Sequence, residues 1–294
     1  SLIITITLVA HSNQTCDHQV SIRPIDTYLT NGNLKELAQN KMQAVVSIRK
    51  KDENKWYGTG TLVDKNSIGE GFLILTVWHL IKSDPIRDWV VVFNSNRYDS
   101  TNPYDGTAFN IVRNVENDYN TTDYMLLEID PHNKVWDNNY DPSFDIFSIP
   151  VTPVVSKNPS VGSQVLITGY ACQPSASCTS INKTIPAQMY ADDGTITEYD
   201  LFSTANKDSV RFSIAYRGGF SGSGILNSNG EIFALAGHFC SNAHWHKHPS
   251  NCLYGDGGST VRGIIKNNND HSIILRRVIN NYTKENAEVL LKVN

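Results

Sequence analysis

The chain is expected to be all-β: two groups of antiparallel strands followed by a C-terminal helix. Three observations carry that expectation. Short β-branched and aromatic runs recur along residues 43–129 and again along 164–265, with turn-forming clusters between them. An aromatic, Asn-rich and Pro-rich stretch, 131–158, has no clear period and reads as a linker between the two groups. Only the end of the chain, 271–280 and 284–293, carries a helical pattern, with a break expected near Asn280-Asn281.

Taken in order, the chain begins with an uncharged apolar stretch, SLIITITLVA, too short to span a bilayer. Ala10-His11-Ser12 has the small-x-small form of a signal cleavage site. Residues 1–12 are therefore expected to be a signal-peptide remnant, with a buried strand as the alternative, and the mature protein is expected to be secreted, with no membrane association. Residues 13–42 read as an N-terminal arm or propeptide holding a short helix at 33–38. The first strand group is expected at 43–49 (QAVVSIR), 56–63 (WYGTGTLV), 71–76 (GFLILT), 88–93, 109–114 and 124–129, stopping at Asp130-Pro131. The second is expected at 164–170 (QVLITGY), 194–199, 210–214, 224–226, 232–238 and 259–265. The expected units are 43–150, 151–268 and a terminal helical segment at 269–294.

Composition narrows the function. The net charge of −4 and the lack of a basic stripe argue against nucleic-acid binding. The five cysteines, in an oxidising compartment, suggest Cys172 paired with Cys178 and Cys240 with Cys252, leaving Cys16 over. Connectivity is not deducible from spacing. Sequons at Asn13, Asn120, Asn182 and Asn281 would carry glycans in a eukaryotic secretory pathway.

The stretch 218–224, GGFSGSG, lies between two apolar runs and has almost no side chains to bury. It is expected to act through its backbone. Glycine allows a tight path with φ above zero, which leaves the Ser221 hydroxyl accessible and lets neighbouring N–H groups converge. A nucleophile beside an oxyanion hole needs that arrangement; a plain glycine-serine hairpin is the alternative. A base is available in His79, placed just after the buried run 71–76. An orienting acid is available in Asp123, at the mouth of the apolar run 124–129. His79 and Asp123 fall in the first strand group and Ser221 in the second, so a site between two β-barrels follows.

These segments resemble the trypsin-like serine proteases of the chymotrypsin fold. Gly58-Thr59-Gly60-Thr61-Leu62-Val63 is similar to the family's G-[ST]-G-x-[LIV]-[IV] strand, and Leu75-Thr76-Val77-Trp78-His79 to L-T-A-A-H. Asp123-Tyr124-Met125-Leu126-Leu127 is similar to D-[IFL]-A-L-[LI], and Gly219-Phe220-Ser221-Gly222-Ser223 to G-[DN]-S-G-[GS]. Thr168-Gly169-Tyr170, Gly194-Thr195-Ile196-Thr197 and Ser221-Gly222-Ser223 look most like the bacterial glutamyl endopeptidase branch. The resemblance implies two six-stranded antiparallel barrels and no cofactor. It implies protein or peptide substrates, with His79 as base, Asp123 as orienting acid and Ser221 as nucleophile. The backbone N–H groups of Gly219 and Ser221 would form the oxyanion hole. Tyr216, Arg217, Gly218, Gly237 and His238 would line the substrate pocket.

Departures from the family matter too. Phe220 stands where animal digestive members have an Asp that pairs with a freshly cut N-terminus, so that switch is expected to be absent. Trp78 replaces a small residue beside the base, and Gly224 the usual Pro. The His that holds an acidic P1 residue in glutamyl endopeptidases aligns with Ala236, and His238 lies two residues beyond. Two readings from other classes stand beside the protease. One is a catalytically inactive homologue that acts as a binding module. The other is a metal site from His244, His246 and His248 flanked by Cys240 and Cys252, whose oxidation to a disulfide would remove both thiolates.

Overall fold

The computed structural model describes residues 23–51, 55–65, 71–81, 84–95, 104–118, 122–138, 142–171, 188–199, 209–214, 219–238, 257–267 and 270–293. After a two-residue strand β1 (Arg23–Pro24) come two helices, α1 (Ile25–Asn31) and α2 (Lys35–Lys41). The next six strands are β2 (Val45–Lys50), β3 (Lys55–Lys65), β4 (Phe72–Thr76), β5 (Trp89–Phe93), β6 (Gly106–Asp118) and β7 (Tyr124–Asn138). They close an antiparallel barrel in the order β2-β3-β4-β7-β6-β5. Its interior holds Val46, Ile48, Leu62, Ile74, Val91, Phe109 and Leu127. Alternate residues of several β-branched runs point inward, which is how a period-two pattern fills a barrel.

The second barrel is made of β8 (Gln164–Ala171), β9 (Gln188–Tyr199), β10 (Ser209–Phe212), β11 (Gly224–Leu226), β12 (Ile232–His238) and β13 (Gly257–Thr260). The pairings run β8-β9-β10-β13-β12-β11, and β11 returns to β8. Its core contains Val165, Ile167, Ile196, Phe212, Phe220, Ile225 and Phe233. A larger cluster lies between the barrels and binds the remaining elements to them. It joins Leu73, Leu75 and Leu126 of the first barrel to Leu166, Tyr170 and Leu235 of the second. Ile25 and Tyr28 of α1, Ala38 of α2 and Leu275 and Val278 of the terminal helix enter the same cluster.

Several local features depart from the sequence reading, among them β6 and β9, which begin three and six residues earlier than expected. Strand β7 does not stop at Asp130-Pro131. The ladder steps from Ile111 opposite Ile129 to Phe109 opposite Lys134, so Pro131 sits in a bulge where no ladder N–H is needed. The run 259–265 is a strand only to Thr260 and then turns into α3 (Val261–Asn267). The Thr260 Oγ1 accepts a hydrogen bond from the Gly263 N–H at 2.9 Å, an N-cap that begins the helix. The terminal helix α4 (Ile273–Val293) runs unbroken through Asn280-Asn281. Asparagine in a helix interior costs well under 1 kcal/mol per residue, and the Leu, Arg, Lys, Glu and Ala around it outweigh that. Finally, α1 was not foreseen at all.

Candidate active site

Strand β4 delivers the chain to Val77, which is buried, and then to one 3-10 turn, Trp78–Leu80. His79 therefore stands at the barrel rim with a third of its side chain exposed. The partner comes from the β6–β7 hairpin. Its closure is reinforced where the Thr122 hydroxyl donates to the Asp118 carboxylate at 2.9 Å. The next residue, Asp123, has φ +50°, a left-handed conformation uncommon outside glycine, though Asp tolerates it better than most. In that conformation both carboxylate oxygens meet His79. The His79 backbone N–H donates to Oδ1 at 2.9 Å, and the ring Nδ1 lies 2.5 Å from Oδ2. The double contact fixes ring position and tautomer together: with its Nδ1–H on Asp123, the imidazole presents Nε2 as the free acceptor.

Asp123 is held from behind as well. Tyr124, fully buried, donates its hydroxyl to Glu116 Oε1 at 2.8 Å, and Glu116 Oε2 accepts the Ile274 N–H at the start of α4 at 2.9 Å. Burial pushes the Glu116 carboxyl above its ordinary range, partly offset by these two hydrogen bonds. Burial likewise pushes the Tyr124 phenol up.

Ser221 lies in the tight turn between Gly219 and β11, and is 9 % exposed. The turn depends on glycine at two places. Gly219 has φ +103° and Gly222 has φ +88°. A Cβ on Gly222 would stand 2.1 Å from the Thr59 carbonyl oxygen and 2.2 Å from Thr76 Oγ1. Phe220, the intervening apolar residue, is completely buried in the core of the second barrel. The Ser223 N–H donates to the Phe220 carbonyl at 2.8 Å. Across a trans peptide the Ser221 N–H then points to the opposite side.

The turn is joined to both barrels. On one side the Gly222 N–H donates to Ala236 O at 2.8 Å, and the Ala236 N–H to Ser223 O at 2.9 Å. The next residue of β12, Gly237, faces Asp123: a Cβ there would lie 3.6 Å from Asp123 Oδ2. On the other side the Thr59 N–H donates to Ser221 O at 3.0 Å. A Cβ on the adjacent Gly58 would meet both Ser221 O and the side chain of Leu80, the residue after His79. His79, Asp123 and the Ser221 turn are thus neighbours at the seam of the two barrels.

Of the other sequence-predicted residues, Gly219 lies in the turn and Gly237 and His238 end β12, with His238 opposite Gly257. Tyr216, Arg217 and Gly218 lie outside the described residues. So do Cys16, Cys172, Cys178, Cys240, Cys252, His244, His246 and His248, and with them the disulfide and metal expectations. Among the described residues no group of His, Cys, Asp or Glu is arranged to hold a metal ion. No helix among them is long and apolar enough to cross a membrane. Thr59 and Thr76, buried hydroxyls on β3 and β4 that bracket the turn, were not singled out from sequence. The available signal was weak: Thr59 shares its run with a second buried threonine, Thr61, and Thr76 only ends the apolar run 71–76.

No curated protein sequence matches the chain significantly. Among solved structures, a serine endoprotease from Yersinia pestis superposes with a TM-score of 0.51 at 15% identity, covering 85% of this chain and 68% of its own. A mutant of human heparin binding protein superposes with a TM-score of 0.52 at 16% identity, covering 79% of this chain and 95% of its own. At these identities the likeness is one of fold, and the fold is the chymotrypsin type of paired barrels. The model of the trypsin-like peptidase domain matches residues 58–235, more than half of the sequence and the span that holds His79, Asp123 and Ser221. The chain therefore belongs to the trypsin-like peptidase domain family.

Proposed function

We propose that the protein is a serine endopeptidase that works through a Ser221–His79–Asp123 triad. The observation that carries this reading is the double contact of Asp123 on His79, next to the glycine-built turn that presents Ser221. Ser221 Oγ attacks the peptide carbonyl while His79 Nε2 takes its proton. Asp123 stabilises the imidazolium that results. The N–H groups of Gly219 and Ser221 receive the charge that develops on the carbonyl oxygen, where loss of one donor costs roughly 3–4 kcal/mol in a hydrolase of the same chemistry on another fold. The tetrahedral adduct collapses, His79 returns the proton to the leaving amine, and an acyl-enzyme remains. Water, activated by the same imidazole, attacks the ester and regenerates the Ser221 hydroxyl.

Several finer points belong to the same proposal. The apolar stretch 1–10 and the sequons support secretion and glycosylation. The T-G-Y, G-x-I-T and S-G-S segments support a relation to glutamyl endopeptidases; with Ala236 where their P1-binding His stands, an acidic P1 preference would rest on Arg217 and His238. Tyr216, Arg217, Gly218, Gly237 and His238 are proposed to line the specificity pocket. Phe220 supports a turn that needs no ion pair with a new N-terminus, because its anchor is apolar burial.

Digestion of a denatured protein mixture, read by mass spectrometry of the new termini, tests this directly. The expected result is a defined set of cleavages made by the wild type and absent with Ser221→Ala. Acidification should slow cleavage, because a protonated His79 has no lone pair with which to accept the serine proton. Equal cleavage by Ser221→Ala would place the chemistry elsewhere. Partner binding that survives Ser221→Ala, with no turnover by the wild type, would identify an inactive binding homologue.

A further inference from the structure

We infer that Thr59 is a positioning residue that sets the orientation of the oxyanion-hole turn from across the barrel seam. The inference rests on the endopeptidase reading above and deepens it.

Thr59 is fully buried on β3 of the first barrel, yet its hydroxyl and its N–H reach into the second. Its hydroxyl donates to the Gly219 carbonyl at 2.8 Å, while the same oxygen accepts the Tyr170 N–H from β8 at 2.9 Å. With that N–H directed at the oxygen, the hydroxyl proton is left for Gly219. The Tyr170 carbonyl, at 3.4 Å, is the more distant acceptor. The Thr59 N–H donates to the Ser221 carbonyl at 3.0 Å. One residue therefore holds two of the three carbonyls of the segment Gly219-Phe220-Ser221. The third, that of Phe220, is held within the turn by the Ser223 N–H.

Those carbonyls govern the turn. Peptides are rigid planes, so fixing a carbonyl fixes the N–H on its far side: the Phe220 carbonyl aims the Ser221 N–H, and the two that Thr59 holds set the planes on either side of it. The Gly219 carbonyl fixes the plane between Gly219 and Phe220, the link between the two proposed donors. Gly219 is a glycine at φ +103°, with no Cβ to bias its rotation. Without an external constraint that plane has alternatives, and the Thr59 hydroxyl supplies the constraint. Thr59 is itself fixed: the Thr76 hydroxyl donates to its carbonyl at 2.7 Å. Gly169, where a Cβ would fall 2.8 Å from Phe220 Cδ1 and 3.0 Å from Thr59 Oγ1, lets the two barrels close on this point.

The chemistry follows from geometry. Oxyanion donors act only when aimed at the position the charge will occupy, and an error of about 1 Å costs on the order of 100-fold. Removing the Thr59 hydroxyl should thus slow bond formation at Ser221 while leaving reversible association nearly unchanged.

Labelling kinetics with an alkyl fluorophosphonate test this without knowledge of the natural substrate, since phosphonylation of serine also develops charge on an oxygen. The variants are Thr59→Val, which keeps shape and loses the hydroxyl, and Thr59→Ser, which keeps the hydroxyl. The expected result is a limiting labelling rate about 10- to 100-fold lower for Thr59→Val, with the half-saturating probe concentration within about twofold. Thr59→Ser should retain most of the rate, whatever either change does to the melting temperature. If Thr59→Val does not fold, Thr59→Ser against Thr59→Ala, which differ by one oxygen, gives the same comparison. A wild type that labels, with Thr59→Val or Thr59→Ala as fast as its hydroxyl-bearing counterpart, overturns the inference alone. A folded wild type that does not label overturns the endopeptidase reading, and the inference falls with it.

Discussion

Each proposed catalytic side chain is placed by a backbone feature with a separate physical cause. His79 stands on a 3-10 turn that β4 carries to the barrel rim. Asp123 adopts φ +50°, and backbone in this region persists only where the surroundings hold it. Here the surroundings are two hydrogen bonds to His79 and the buried Tyr124–Glu116 contact behind it. Ser221 stands between two glycines with positive φ and is pinned by the apolar burial of its neighbour Phe220. Since the three groups act as a unit, Ser221→Ala and His79→Ala are each expected to lower kcat by about 10⁶, as in another triad protease. Asp123→Asn keeps the shape but turns a donor toward His79, and a loss of about 10⁴ in kcat is expected. Steady-state hydrolysis of one peptide substrate by the three variants checks the ranking. A loss below tenfold for Asp123→Asn would mean that the tautomer is set by something else.

Elements bring those residues together, and the start of α4 is tied to the first barrel through the Glu116 carboxylate. Glu116 accepts from Tyr124 on β7 and from the Ile274 N–H at the start of α4. Its carboxyl is raised by burial, so the protonated form is favoured on folding. For a raised acid the stabilisation is complete below the unfolded value and is lost as pH rises through the folded one. Glu116→Gln removes that titration. The wild type is therefore expected to gain stability relative to Glu116→Gln in urea unfolding as the pH is lowered from 7 to 4, and a relative stability independent of pH would contradict the raised carboxyl. Packing holds the same helix: Leu275→Ala should cost about 2–5 kcal/mol by urea unfolding, since Leu275 is fully buried in the cluster between the barrels. The helix also shows where the sequence was legible. Strands with strong buried apolar runs, such as 71–76 and 232–236, carry their own signal. The ends of β7 and α4 do not, because a bulge at Pro131 and docking of Leu275 and Val278 are tertiary events; the cap at Thr260 that starts α3 is local, but it lies within the β-branched run 259–265 and is masked by it. In the site, the His79, Asp123 and Ser221 segments were readable because glycine and buried runs flank them. Thr59 was not, since its hydrogen bonds reach a strand more than a hundred residues away.

At the scale of the whole molecule, the N-terminal arm is part of the packing that presses the barrels together. Tyr28 is completely buried, and its hydroxyl donates to Asp193 on β9 at 2.7 Å. Burial and that carboxylate push its phenol up. Arg23 lies over the ring at 4.8 Å and reaches the same carboxylate, as does the Asn33 side-chain amide at 2.7 Å. Tyr28→Ala is expected to cost about 3–5 kcal/mol in urea unfolding and to bring no gain in activity. A variant that is more active than the wild type would instead mark the arm as inhibitory. The central claim is that a seam between two barrels activates Ser221, and covalent labelling tests it most directly. A fluorophosphonate probe should modify the folded wild type at one residue, Ser221 by peptide mapping, and should leave Ser221→Ala and His79→Ala unmodified. Equal labelling of Ser221→Ala, or no labelling of folded wild type, would contradict it.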